Sequence, residues 1–152
     1  KANTDLEIAV AGYPEVHPQA KSLDEDLTHL NEKIKAGASL IMTQLFFDNA
    51  VYFNYVEKAK KLGINVPVIP GILPLTSAHQ IQKSIECGAK IPAKLTTWID
   101  PYQHEPLAFH KAGIEYVVQQ VKGLLKAKVP GLHLYTFNQA EAVSQVLRGV
   151  SL

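Results

Sequence analysis

Tyr13, Glu15 and His17 alternate with Pro14, Val16 and Pro18 in one six-residue run. A phenol, a carboxylate and an imidazole thus share a segment stiffened by two prolines, which suits a preformed polar wall for a ligand. A second cluster, Thr43-Gln44 followed by Phe46-Phe47, sets an amide that donates and accepts beside aromatic surface. A third, Tyr135-Thr136-Phe137-Asn138, repeats the polar and aromatic mixture near the far end. Asp26, His29 and Lys33 follow at spacings of three and four, one face of a helix. Each has a plainer reading. His17 could be a loop histidine bonded to backbone, the Asp26–Lys33 stripe a solvated face, and Phe46, Phe47, Tyr52, Phe53 and Tyr55 core. Gln44 resists dismissal, because an amide ending a buried strand needs partners.

The elements that must position these groups alternate short apolar runs with longer amphipathic ones. Ile8-Ala9-Val10-Ala11 before Gly12 reads as a buried strand. Ser22 with Glu25 makes a capping box, and Leu23, Leu27, Leu30 and Ile34 trace a helical stripe that Gly37 stops. Residues 40–47 read as a strand running into a loop. Asp48 or Asn49 then caps a helix bearing Val51, Tyr52, Tyr55, Val56, Ala59 and Leu62, ended by Gly63. Residues 66–69 form a third strand, and Pro70-Gly71-Ile72-Leu73-Pro74 is expected to turn away from it. Ser77 caps a short helix carrying Ile81 and Ile85, and residues 92–106 read as irregular. A long helix spans about 107–127, with Ile114, Val117, Val118, Val121, Leu124 and Leu125 inward. Residues 131–136 are the fourth strand. Asn138 with Glu141 opens a last helix that turns Ala142, Val143, Val146 and Leu147 to the core.

Four β–α units in series imply an α/β fold with parallel strands and right-handed crossovers. Two architectures accommodate them: a four-stranded doubly wound sheet, or half of a (β/α)8 TIM barrel. Periodicity does not choose between them. In both, ligands gather at the carboxyl ends of the strands, where the three clusters fall.

Composition bounds the class. Of 152 residues 47% are hydrophobic and 19% charged, which supports one packed core and excludes a disordered chain. Fifteen Lys plus Arg against fourteen Asp plus Glu leave a net charge of +1, so no nucleic-acid partner is expected. The single Cys87 excludes an intrachain disulfide and a thiolate metal cluster, and fits a reducing compartment. No apolar run is long enough to span a membrane, and the start Lys1-Ala2-Asn3-Thr4-Asp5 is no signal peptide. A cytoplasmic domain without membrane contact is expected. The lack of an initiating Met suggests a piece of a longer chain. Dinucleotide-binding glycine motifs, phosphate loops, nucleophile elbows and zinc-ligand spacings are all missing, so covalent or metal hydrolysis has no support.

At Ala11-Gly12-Tyr13-Pro14-Glu15-Val16-His17-Pro18 the sequence resembles the methylenetetrahydrofolate reductase family. The resemblance continues through Gly37-Ala38, Thr43-Gln44-Leu45-Phe46-Phe47-Asp48, Pro70-Gly71-Ile72-Leu73-Pro74 and His133-Leu134-Tyr135-Thr136-Phe137-Asn138, in family order over nearly the whole chain. It implies a flavin-containing (β/α)8 barrel, with residues 1–152 as a single domain forming its carboxyl-terminal half and the amino-terminal half absent. It implies reduction of 5,10-methylenetetrahydrofolate to 5-methyltetrahydrofolate, FAD taking hydride from NADH or NADPH and passing it on in ping-pong order. No metal is needed, and a homo-oligomer of the full-length enzyme is an expectation.

Residue by residue, the resemblance places Ala11, Tyr13, His17 and Ala20 against the flavin. It places Asp26, His29, Glu32 and Lys33 on the helix bordering the cofactor's ribose, pyrophosphate and adenine. Lys33 strains this, lying about two turns beyond Asp26. Gln44 matches a glutamine that meets folate and nicotinamide in turn, Gln80 another on the substrate side, and Tyr135 and Thr136 the end of the eighth strand. Gln139 departs from the family, which has an arginine there. A neutral amide loses the charge pairing with the substrate's anionic portion, so altered folate contact is expected. The family's catalytic acid lies outside these residues, and alone they are expected to be inactive. The alternative is a non-catalytic half-barrel that binds a pteridine or a partner chain.

Overall fold

The structure, a computed structural model, describes residues 5–151. The reading of Lys1–Thr4 as no signal peptide lies outside the described residues. The order is β1 (Ala9–Gly12), α1 (Leu23–Lys35), β2 (Leu40–Leu45), α2 (Asn49–Lys61), β3 (Val68–Ile72), α3 (Ala78–Glu86), α4 (Ala93–Ile99), a 3-10 turn (Asp100–Tyr102), α5 (Pro106–Lys126), β4 (His133–Leu134) and α6 (Ala140–Val150).

Local chemistry sets the helix ends. Ser22 Oγ accepts the Glu25 N–H at 3.2 Å, and the Glu25 carboxylate reaches back to the Lys21 N–H at 2.6 Å. Asp24, Glu25 and Asp26 in the first turn of α1 and Lys33 and Lys35 in the last both suit the helix dipole. Gly37, at φ 114°, then lets the chain reverse into β2. Asp48 rather than Asn49 caps α2, its Oδ1 accepting the Ala50 N–H at 2.9 Å.

All strand pairs are parallel, in the order β1-β2-β3-β4. One apolar cluster joins Leu27 and Leu30 of α1, Tyr52 and Tyr55 of α2, Val117 and Val121 of α5 and Val146 of α6 to Ile41 and Leu45 of the sheet. The opposite sheet face is uncovered: Ala9 and Ala11 are exposed, and Met42, Gln44 and Ile69 only half-buried. A doubly wound sheet reverses its strand order and carries helices on both faces. Sequential strands with a single covered face are instead consecutive units of a (β/α)8 barrel.

Several expectations are corrected. The third strand does not turn away at Pro70, because β3 runs through Pro70 and Gly71. The Gly71 N–H donates to Thr43 Oγ1 at 2.9 Å, so a side chain carries the pairing across the register shift between Met42 and Leu45. The stretch 92–106 is not irregular: its prolines flank rather than break α4, whose Leu95 and Ile99 are buried one turn apart. Ser77 makes no side-chain cap bond, and α3 buries Gln80 and Ser84 while Ile85 is exposed. Leu62 and Leu125 also face outward. The fourth strand shrinks to His133–Leu134, with one further backbone bond from the Tyr135 N–H to the Ile72 carbonyl, and the chain then turns through Phe137 and Asn138 at left-handed φ of 44° and 61°. Gln139, not Asn138, takes the N-cap position of α6.

Candidate functional site

At the carboxyl end of β1 the chain makes a tight corner. The Val16 N–H returns to the Tyr13 carbonyl at 3.1 Å, and Val16 sits at φ 77°, a costly conformation for a β-branched residue. The Tyr13 and His17 rings meet edge to face, 4.4 Å between centroids. Asp26 on α1 fastens the corner, its Oδ2 accepting the His17 backbone N–H at 3.1 Å. His17 Nδ1 accepts the Gln19 N–H at 3.1 Å, so the plain reading of a backbone-bonded histidine holds for that nitrogen. The neutral imidazole then carries its proton on Nε2.

This corner and α1 enclose an open groove of about 750 Å³. Ala11, Tyr13, His17 and Ala20 form one wall. Asp26, His29, Glu32 and Lys33 form the other, so Lys33 shares the groove despite its distance along the helix. Spacings of three and four explain this, since they keep side chains on one face. Gln19 and Ala36 also line it and escaped the sequence reading. Ala36, three beyond Lys33, could have been found by extending the same stripe.

Two residues support the corner from behind. Tyr55 of α2 is buried with its hydroxyl beneath Gly12, where a Cβ would collide with it. Burial pushes the Tyr55 phenol far up, the Asp26 charge adds to this, and a hydrogen bond from the Tyr13 backbone opposes it. Glu15 points away from the groove and accepts the Lys90 N–H at 2.8 Å, latching the corner to the loop before α4.

Burial also pushes the Glu15 carboxyl up, against the Lys90 backbone bond and charge. The folded state therefore holds this proton more tightly than the unfolded one. The contribution to stability is full below the ordinary carboxylate pKa and is lost as pH rises through the raised value. Glu15→Gln, which still accepts the Lys90 N–H, is expected to match the parent below about pH 4 and to melt at higher temperature near neutrality. Thermal melts at both pH values check this, and an unchanged difference between them would contradict it.

The second set of residues lies at the other strand ends. Gln44 is half-buried on the uncovered sheet face, its Oε1 accepting the Leu45 N–H at 2.9 Å. The Tyr135 hydroxyl crosses β3 over Gly71 to donate to the Thr43 carbonyl at 3.2 Å, one residue from Gln44. Gln80 is buried, and its Oε1 accepts the Thr76 N–H at 2.6 Å. Thr76 Oγ1 lies 2.9 Å from Gln139 Oε1 and 3.0 Å from Gln80 Oε1, so its single proton serves one at a time. The structure thus brings Gln80 and Gln139 together through Thr76, which sequence reasoning missed. Thr136 is exposed just beyond β4.

A run of parallel βα units in sequential order, with a polar groove at the strand ends, has the form of a segment of a (β/α)8 barrel. The methylenetetrahydrofolate reductase family model matches residues 1–151, and the chain belongs to that family. The 5,10-methylenetetrahydrofolate reductase of Pectobacterium carotovorum subsp. carotovorum is 39% identical over 90% of this chain and 46% of its own length. That of Escherichia coli (strain K12) is 37% identical over 93% of this chain and 48% of its own. Methylenetetrahydrofolate reductase (NADH) 1 of Arabidopsis thaliana is 35% identical over 95% of this chain and 26% of its own. The chain therefore spans at most about half the length of these relatives. An uncharacterized Clostridium thermocellum protein, described as binding two copies of 5-methyl-5,6,7,8-tetrahydrofolic acid, shares the fold. Its TM-score is 0.62 at 15% identity, over 98% of this chain and 54% of that one.

Proposed function

We propose that the chain is the carboxyl-terminal half of a flavin-dependent catalytic barrel, and that the whole protein reduces 5,10-methylenetetrahydrofolate to 5-methyltetrahydrofolate. Hydride comes from NADH or NADPH through FAD in ping-pong order, in the cytoplasm. The supporting observation is that all eight positions assigned to the flavin side by resemblance line one groove at a strand end. The uncovered sheet face is what a half-barrel awaiting its complement presents.

The groove suits FAD in its chemistry. Ala11, Ala20 and Ala36 keep the walls low, leaving room for a broad ring system beside Tyr13 and His17. Asp26 and Glu32 offer carboxylate acceptors for ribose hydroxyls, and Lys33 offers a cation for the pyrophosphate. FAD would supply the two-electron carrier that links nicotinamide to folate. With its Oε1 held by the Leu45 N–H, Gln44 keeps its Nε2 donors for a folate or nicotinamide carbonyl.

Steady-state rates of the full-length protein, with NAD(P)H and methylenetetrahydrofolate varied together, test the reading. Parallel double-reciprocal lines are expected; turnover of the nicotinamide with an artificial acceptor but never with the folate would overturn the substrate assignment. Gln139→Arg is expected to lower KM for the folate severalfold with little change in kcat, because a cation is restored where the Thr76–Gln80 network now ends in a neutral amide. A raised KM would place the substrate's anionic portion elsewhere.

A further inference from the structure

Within β2, Gln44 alone has no partner residue in either neighbouring strand: Leu40 to Thr43 pair with β1, and the register against β3 shifts between Met42 and Leu45. Where the ladder lapses, other groups must satisfy and hold the backbone. Three side chains from distant elements do so. The Tyr135 hydroxyl donates to the Thr43 carbonyl at 3.2 Å, just before Gln44. Just after it, Gln120 Nε2 donates to the Phe46 carbonyl at 2.8 Å and the Tyr116 hydroxyl to the Phe47 carbonyl at 2.9 Å.

Tyr116 and Gln120 are one turn apart on α5, hence on one face of it, and are only 7% and 6% exposed. Burial and the Asp48 charge push the Tyr116 phenol up, so it stays protonated and donating at neutral pH. The grip is closed from the other side, because Asn49, the first residue of α2, donates from Nδ2 to the Gln120 backbone carbonyl at 2.8 Å. Helix α5 thus fastens the chain where it leaves β2 and where it enters α2. Neither Tyr116 nor Gln120 bonds Gln44, whose amide lies on the opposite, uncovered face of the sheet.

We propose that Tyr116 and Gln120 are positioning residues, which hold the Phe46 and Phe47 carbonyls and thereby set where the Gln44 amide stands at the strand end. The inference rests on the reading of Gln44 as the amide that meets folate and nicotinamide. Loss of either donor lets the end of β2 shift, and a displaced amide binds the reactants less well. The flavin groove on α1 is held by other contacts and is left as it was.

Two variants of the full-length protein test this. Tyr116→Phe removes one oxygen, and Gln120→Met removes the amide donor at nearly constant volume. Each is expected to lower kcat/KM for the folate and for NAD(P)H about threefold or more, with parent-like FAD affinity. Amide exchange over residues 44–48 is expected to quicken, with that over α1 unchanged. In a Gln44→Ala background, itself impaired, neither substitution is expected to lower kcat/KM further. Parent-like kinetics in Tyr116→Phe beside an impaired Gln44→Ala, losses that add in full to that of Gln44→Ala, or exchange at the parent's rate would each overturn the proposal. Parent-like kinetics in Gln44→Ala would overturn the reading beneath it, removing Gln44 from the substrate site and the role of α5 with it. Should Gln120→Met not fold, Tyr116→Phe decides alone.

Discussion

Gly71→Ala is expected to abolish the native sheet or to lower its stability by about 3 kcal/mol or more. Gly71 lies where β3 crosses the register shift in β2 and where Tyr135 folds over the sheet. A Cβ there would collide with the Thr43 carbonyl oxygen and lie 2.9 Å from the Tyr135 ring. The first obstacle is backbone, held in a sheet, and cannot move without undoing the pairing that β2 and β3 share. The Gly71 N–H bond to Thr43 Oγ1 would be lost with it. Gly63→Ala makes the contrast: Gly63 has φ +79° but nothing within 4 Å of the added carbon. Only the left-handed penalty applies, about 1–2 kcal/mol. Urea unfolding of the two variants beside the parent checks the ranking, and equal midpoints would mean that the sheet relaxes around Gly71.

Asp26→Ala is expected to weaken flavin binding by the full-length protein about 10- to 100-fold, the usual weight of a hydrogen bond to a charged group. Two effects act together. The His17 N–H loses its acceptor, which frees the strained Val16 turn and the Tyr13–His17 ring pair. The groove also loses a carboxylate on the wall assigned to the ribose. Asp26→Asn separates the two, since an amide oxygen can still accept from His17 while the charge is gone. Apoprotein titrated with FAD, followed by flavin fluorescence, measures both variants. Parent-like affinity in Asp26→Ala would remove Asp26 from the cofactor's wall.

Legibility differed between elements for physical reasons. Helix α1 was readable almost to the residue, because its cap, its leucine stripe and its glycine stop are all local in sequence. The covered and bare faces of β2 were not readable, because Leu40, Ile41 and Met42 are all apolar and the polar Thr43 lies on the covered face. The course of β3 was not readable: Pro70 and Gly71 are turn formers locally, and only Thr43 Oγ1, 28 residues away, lets Gly71 continue the strand. Helix α4 was hidden by flanking prolines, and the turn before α6 by left-handed Phe137 and Asn138, neither of them glycine.

The groove was legible where a single helix face carries it, Asp26 to Lys33, and where a resemblance supplied the corner. The partners that hold these residues were not. Glu15 meets Lys90 across 75 residues, and Gln139 meets Thr76 across 63, contacts with no periodic trace. Choosing a barrel segment over a doubly wound sheet likewise waited on strand order and on which face was bare.

A crystal structure of the full-length protein grown with FAD decides where the cofactor sits. The isoalloxazine is expected beside Tyr13 and His17 at the end of β1, with the pyrophosphate running along α1 toward Lys33. Flavin density seated elsewhere in the protein, with that groove open to solvent, would contradict it.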